Sequence, residues 1–423
     1  MEMNSYFIRE KKGCSYYDQY ESYINSDVIV FNSAKYKIET ALNRKPATDI
    51  EIIDEADEFL DSFSNQTSIN LTRLSASLNH IIPDDIEIKM AIDNILELIK
   101  LEETNKKALG INEDTIYKIK ETNIYQILKE FIDNPEIEDE IISDDSNYAI
   151  KAIEAAKNFS EFMAETYLTY RKDEKELYVN LITTNLSKKF KEIIDKNKII
   201  VLMSGTFHSA PVLKNVFGIS EYKMIEAEIK FPGMMEICMT GEEIDCKYSN
   251  FSSGIHSREK YLKTLSKTIK KSLNPTLIHV NSFEDLPTKE EIERYEIYNL
   301  PEKKDLIESQ YKDKKGESIS LFKSGVIKTL FTTKCSRGAD FPGSMCNSIV
   351  FTKYPNANVN DIFWKILKKT HPQYFWEVYK DKATRELIQK IYRGLRFKED
   401  HVYILSPDIR VLEAVRSLQK SLQ

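Results

Sequence analysis

The chain has 423 residues, 41% hydrophobic and 30% charged, with 60 basic against 67 acidic side chains and a formal net charge of -7. That length provides for two to four domains with a core in each, and the negative balance argues against a protein coated by nucleic acid, so that any nucleic-acid site must be a local basic groove. The five cysteines, Cys14, Cys238, Cys246, Cys335 and Cys346, form no C-x-x-C pair and predict thiols in a reducing compartment; the charged start MEMNSYFIREKKG does not read as a signal peptide and no apolar run matches a membrane span, so a cytoplasmic protein is expected.

In chain order, residues 28–31 read as a strand, followed by a second at Ile50, Ile52 and Ile53 that runs straight into Asp54-Glu55-Ala56-Asp57. From about 66 to 186 the texture turns helical. Ile88, Ile92, Ile95, Leu96 and Ile99 recur at helical spacing behind Asp84 and Glu87, which are placed as a capping box. The acidic stretch from Glu136 to Asp145 reads as a solvated loop. KIIVLM at 198–203 signals another buried strand, ending in Ser204-Gly205-Thr206. Beyond residue 228, strand signals at 276–280, 327–332, 348–352 and 402–405 alternate with helical segments, which predicts a second α/β domain with a parallel sheet.

Four short constellations carry chemistry. Carboxylates at the carboxyl end of a buried strand suit nucleotide-driven work, with Asp54 holding Mg²⁺ through water and Glu55 orienting the attacking water. Ser204, Gly205 and Thr206 put two hydroxyls and a flexible backbone after a neighbouring strand. In FTTKCSRGADFPG, Gly338 permits close backbone approach and Asp340 is available for a ribose or a metal-bound water. In QKIYRGLRF, Gln389, Arg393 and Arg396 at i, i+4 and i+7 are expected on one helical face, where both arginines would stabilise charge on a γ-phosphate. Each alone has a plain reading, as a polar loop, a turn or a solvated basic face.

In order and context these four resemble motifs II, III, V and VI of superfamily 2 helicases. The string DEAD suggests a DEAD-box RNA helicase, yet that family shows SAT at motif III and a His-Arg opening at motif VI, where this chain has SGT and QKIYR. From Glu55 to Ser204 the chain runs 149 residues, far more than one βα step needs, and a helical domain inserted there looks like the Arch domain of the XPD/DinG helicases. Further likenesses extend from about residue 10 to 412. GCSYYDQYESYINSDVIVFN resembles the segment in which the last cysteine of a 4Fe-4S cluster precedes paired tyrosines, LIHVNSFEDL resembles motif IV with Ser282, and FTKYPNANVNDIFWKIL resembles the family's tyrosine-proline segment with Lys353 and Tyr354. The resemblance implies an α/β fold of two RecA-like motor domains, the first incomplete, with a helical Arch-like insertion. Residues 1–65 and 187–227 would form motor domain 1, 66–186 the insert and 228–423 motor domain 2. It further implies ATP and Mg²⁺ as cofactors, 5′ to 3′ movement on single-stranded DNA, and Ser282, Lys353 and Tyr354 as nucleic-acid contacts.

The chain departs from that pattern in what it lacks. No G-x-x-x-x-G-K-[ST] is present, and Cys14 alone cannot hold an iron-sulfur cluster, which takes four ligands. Tyr392 stands where a glycine usually precedes the first arginine of motif VI. Two readings of different kind follow: a split helicase, completed by a separate polypeptide with the phosphate loop and further cysteines, or a degenerate, non-catalytic relative serving as a DNA-binding or scaffold protein.

Overall fold

The computed structural model describes residues 19–41, 44–62, 66–141, 147–174, 176–226, 233–334 and 338–421. The chain divides into two compact units, one formed by residues up to 204 with 213–219 and 359–372, the other by 205–212, 220–358 and 373 onward.

The first unit contains strands β1 (Ile50–Ile53), β2 (Gln66–Asn70), β3 (Tyr117–Lys118), β4 (Thr166–Asp173), β5 (Glu176–Thr183) and β6 (Ile199–Leu202). Strands β1 and β6 pair in parallel, Ile50 against Ile199 and Ile53 against Leu202, although more than a hundred residues separate them. The interruption folds on its own core. Its sheet, in the order β2-β5-β4-β3, is antiparallel, and it packs with the helices Leu71–Leu78, Ile86–Leu109, Ile124–Asp133 and Ala149–Phe159 around buried Ile95, Leu128, Phe159 and Val179. The helical insert expected over 66–186 thus also carries a four-stranded antiparallel sheet. The signal was present in Thr166–Thr183, where Leu168 and Tyr170 on one strand and Leu177, Val179 and Leu181 on the next bury alternate positions, the period of a strand.

Three local readings also change. The cap of the helix Ile86–Leu109 is Asp85, whose carboxylate accepts from the Glu87 and Ile88 amides, and not Asp84. The acidic stretch begins as a helix, Glu136–Ile141, because Ile137 and Ile141 fall one turn apart and bury; residues 142–145 lie outside the described ones. Residues 28–31 form no strand. Val28 and Val30 are 78% and 90% exposed, while Phe31 leaves that line to pack between Tyr23 and Tyr36.

The second unit is built on β7 (Met234–Ile237), β8 (Thr276–His279), β9 (Thr329–Thr332), β10 (Ser348–Phe351) and β11 (His401–Leu405), all parallel, in the order β7-β11-β10-β8-β9. Every position of β8 and β10 is buried, as expected where both faces of a parallel sheet are covered. Strand β7 went unforeseen in the sequence. Gly233 opens it with φ of 80°, and a Cβ there would lie 2.4 Å from the Asp400 carbonyl oxygen. The helix Ile362–Thr370 counts with the first unit, where Lys365 pairs with Asp114 and the Thr370 and Thr184 hydroxyls lie 3.5 Å apart. Among the described residues no helix is long and apolar enough to cross a membrane.

Candidate functional site

In the first unit the parallel pairing decides the geometry. The Met203 amide donates to the Ile53 carbonyl and the Ala56 amide to the Met203 carbonyl, both at 2.9 Å, so the two strands end side by side. Asp54 and Glu55 stand exposed at that end. The Asp54 carboxylate accepts from the Glu55 amide at 2.9 Å, and Glu55 sits at φ of 49°, a left-handed conformation that costs a side-chain-bearing residue roughly 1–2 kcal/mol. Strain of that kind persists only where the surroundings enforce it. Here it turns the chain from strand into the short helix Ala56–Asp61. Asp57, on the first turn, is fully buried, and the Ser204 hydroxyl donates to its carboxylate at 2.7 Å. A buried carboxylate demands such a donor. The residues that follow the two paired strands, Asp57 and Ser204, thus meet.

In the second unit the helix Pro372–Ile391 carries Gln389, whose amide donates to the Thr206 hydroxyl at 2.6 Å; Thr206 is buried, while Gly205 before it is exposed. The Ser209 amide is held by Asp381, which also accepts from Arg385 Nε at 2.8 Å, so residues 206–209 are fastened to this helix at two points. Arg393 and Arg396 do not share its face. The helix ends at Ile391, and Gly394 follows because a Cβ there would meet Val402 at 3.0 Å and Ile349 at 3.2 Å, so the backbone drops onto the sheet. The arginines converge all the same, since Arg393 Nη1 lies 2.8 Å and Arg396 Nη2 2.5 Å from Asp340 Oδ1. Asp340 is thus engaged by both guanidinium groups rather than open to a ribose. Burial pushes its carboxyl upward, but the hydrogen bonds from Arg396 and Arg393 outweigh this and hold it below the ordinary aspartate value. Asp400, missed in the sequence, sets the loop by accepting from the amides of Gly343 at 2.7 Å, Arg396 at 2.6 Å and Phe397 at 2.7 Å. Gly338 has open space beside it; its φ of 76°, not a crowded neighbour, calls for glycine.

The remaining candidates divide. Ser282 caps a single 3-10 turn, accepting from the Glu284 amide at 3.2 Å, within a reciprocal box completed by Asp285. Tyr354 packs on the core, with its amide on Asp408 and its hydroxyl 3.2 Å from that of Thr384. Lys353 pairs with buried Asp285 at 2.6 Å and lies over the rings of Tyr261 and Phe251. Cys14 lies outside the described residues. Cys246 and Cys346 are core residues of the second unit whose thiols burial pushes upward, Cys346 to about 12, the opposite of what a metal-bound thiolate needs.

Residues 265–423 match the helicase C-terminal domain family. No curated protein matches the chain in sequence. The solved structures of an XPD helicase, of XPD in an apo form and of Xpd4 from S. tokodaii are similar over 96%, 96% and 95% of this chain and 74%, 83% and 77% of theirs, at 17%, 16% and 16% identity with TM-scores of 0.55, 0.55 and 0.56. At such identity the likeness is one of fold. This chain therefore has the fold of those XPD structures, and its residues 265–423 match a helicase C-terminal domain.

Proposed function

We propose that this chain is the larger part of an ATP-driven helicase that moves 5′ to 3′ on single-stranded DNA and that a partner polypeptide carrying a phosphate-binding loop completes it. The observation that carries the reading is the end of β1. There Asp54 and Glu55 stand exposed next to a Ser204 that reaches buried Asp57, while the sheet behind them leaves Ile50, Ile52, Ile199 and Val201 uncovered. A parallel sheet is stable with both faces covered, so these side chains call for more sheet and helix than the described residues supply.

Within that assembly Asp54 would hold Mg²⁺ through water, Glu55 would align the attacking water, and Arg393 and Arg396 would supply positive charge for a γ-phosphate. Exposed Asp54 fits a hard cation that takes most of its ligands from water and phosphates, and among the described residues no group of three or more acidic, His or Cys side chains forms a closed cage. An iron-sulfur cluster would draw on Cys14 and on cysteines of the partner.

The competing reading is a non-catalytic DNA-binding or scaffold relative, favoured by the hold of Asp340 on both arginines. Steady-state ATP hydrolysis with single-stranded DNA separates the two. The chain alone is expected to be inactive and to gain turnover when the phosphate-loop polypeptide is added. Robust turnover by the chain alone, or none with any such partner, overturns the proposal.

A further inference from the structure

The charge of this chain is unevenly distributed. Residues 66–186, the insert between β1 and β6, carry 24 acidic and 13 basic side chains, a net charge of -11, whereas the whole chain stands at -7 and the remainder therefore sums to +4. A segment of that charge repels phosphate backbones and draws cationic partners toward itself. Its longest helix, Ile86–Leu109, turns Ile92, Ile95 and Ile99 into the core of the insert. The opposite side is not uniformly polar, as the outward side of a surface helix ordinarily is.

Ile86 and Met90 lie one turn apart on that outward side and are 75% and 67% exposed, and Ile82, in the segment leading into the helix, is 90% exposed. Carboxylates surround them. Between residues 82 and 97 the sequence holds five acidic side chains and a single cation, Lys89. Asp93 and Glu97 continue the outward line from Met90 at helical spacing; both are exposed, and neither forms an ion pair among the described residues. Their charge is therefore not spent on balancing a neighbouring cation. An apolar patch ringed by one sign of charge fits a partner whose apolar anchors are ringed by the other.

We propose that this side of the helix docks a basic amphipathic helix of a protein partner, with its apolar stripe on Ile82, Ile86 and Met90 and its cations against Asp93 and Glu97. Helices recognise such a surface through side chains one turn apart, which is the spacing presented here. The same charge argues against nucleic acid on this side, because phosphates would meet five carboxylates and one lysine. The proposal draws on none of the residues assigned above to ATP hydrolysis.

The test uses the full chain and a pair of fluorescent synthetic helical peptides patterned alike, one of leucine with lysine and one of leucine with glutamate. Anisotropy reads affinity and hydrogen exchange locates the contact. The leucine-lysine peptide is expected to bind, to protect residues 82–97 and to weaken as salt rises. Burying one aliphatic side chain is worth roughly 10- to 100-fold in affinity. Met90→Ser, at an exposed position, is therefore expected to weaken binding by at least about 10-fold, and Asp93→Asn combined with Glu97→Gln to flatten the salt dependence. No binding of the leucine-lysine peptide, equal binding of the leucine-glutamate peptide, or unchanged binding by Met90→Ser overturns the proposal. So does protection of residues 82–97 by an oligodeoxythymidine, which assigns this side to nucleic acid, or self-association of the chain that Met90→Ser abolishes, which assigns it to a second copy.

Discussion

Two parallel sheets in this molecule arise from nearly the same kind of sequence and end in different states. In the second unit β8 and β10 are buried at every position, with Leu277 and Ile349 on one core and Ile278 and Val350 on the other. In the first unit β1 alternates. Glu51 and Ile53 turn inward, Glu51 meeting Lys45 at 3.2 Å, while Ile50 and Ile52 remain 56% and 62% exposed. The contrast teaches that an apolar run announces a strand wanting two covered faces and does not say whether the cover is present. The candidate catalytic carboxylates Asp54 and Glu55 follow directly on the strand that carries these exposed isoleucines.

The sharpest way to break this comparison is chemical. In a reconstituted complex with a phosphate-loop polypeptide, Glu55→Gln should abolish ATP turnover while leaving ATP bound, and Arg396→Ala should slow it by at least about 10³-fold, as loss of an arginine finger does. Single-turnover hydrolysis alongside ATP binding measures both. Equal loss of binding and turnover would make Glu55 a structural residue of the β1 end.

Stability offers the next test. Ile349→Ala empties a fully buried position and should cost about 2–5 kcal/mol, whereas Ile52→Ala in the isolated chain should stay within about 0.5 kcal/mol. Urea midpoints of the two variants read the difference directly. A large cost at Ile52 would mean that its face is already covered.

The smallest expected effect concerns pH. Asp340 has its carboxyl held below the ordinary value of 3.8 by the two arginines, so its contribution to stability is complete above that value and fades as pH falls through the lower folded value. Asp340→Asn should therefore destabilise the second unit at neutral pH and lose that difference in strong acid. Denaturation midpoints at the two pH extremes measure it, and an equal deficit at both would exclude the ion pairs as its source.

Much of the architecture was legible in the order of residues. Short runs rich in Ile, Leu and Val shortly before Asp54, Ser204 and Ser282 marked β1, β6 and β8, because branched apolar side chains suit the pleated surface of a sheet, and the long interval between Glu55 and Ser204 marked an insertion. Even the pairing of β1 with β6 followed from that interval. Other features depend on contacts distant in sequence. The strands Thr166–Asp173 and Glu176–Thr183 give the insert a sheet, since period-two burial needs partners at Gln66–Asn70 and Tyr117–Lys118 to express itself. Arg393 and Arg396 left the helix because Gly394 must fit against Val402 and Ile349, and that crowding exists only once the sheet has formed. Residue identity thus determined which groups are available for chemistry, and packing between remote segments decided which of them meet, because steric fit and burial belong to the folded chain as a whole.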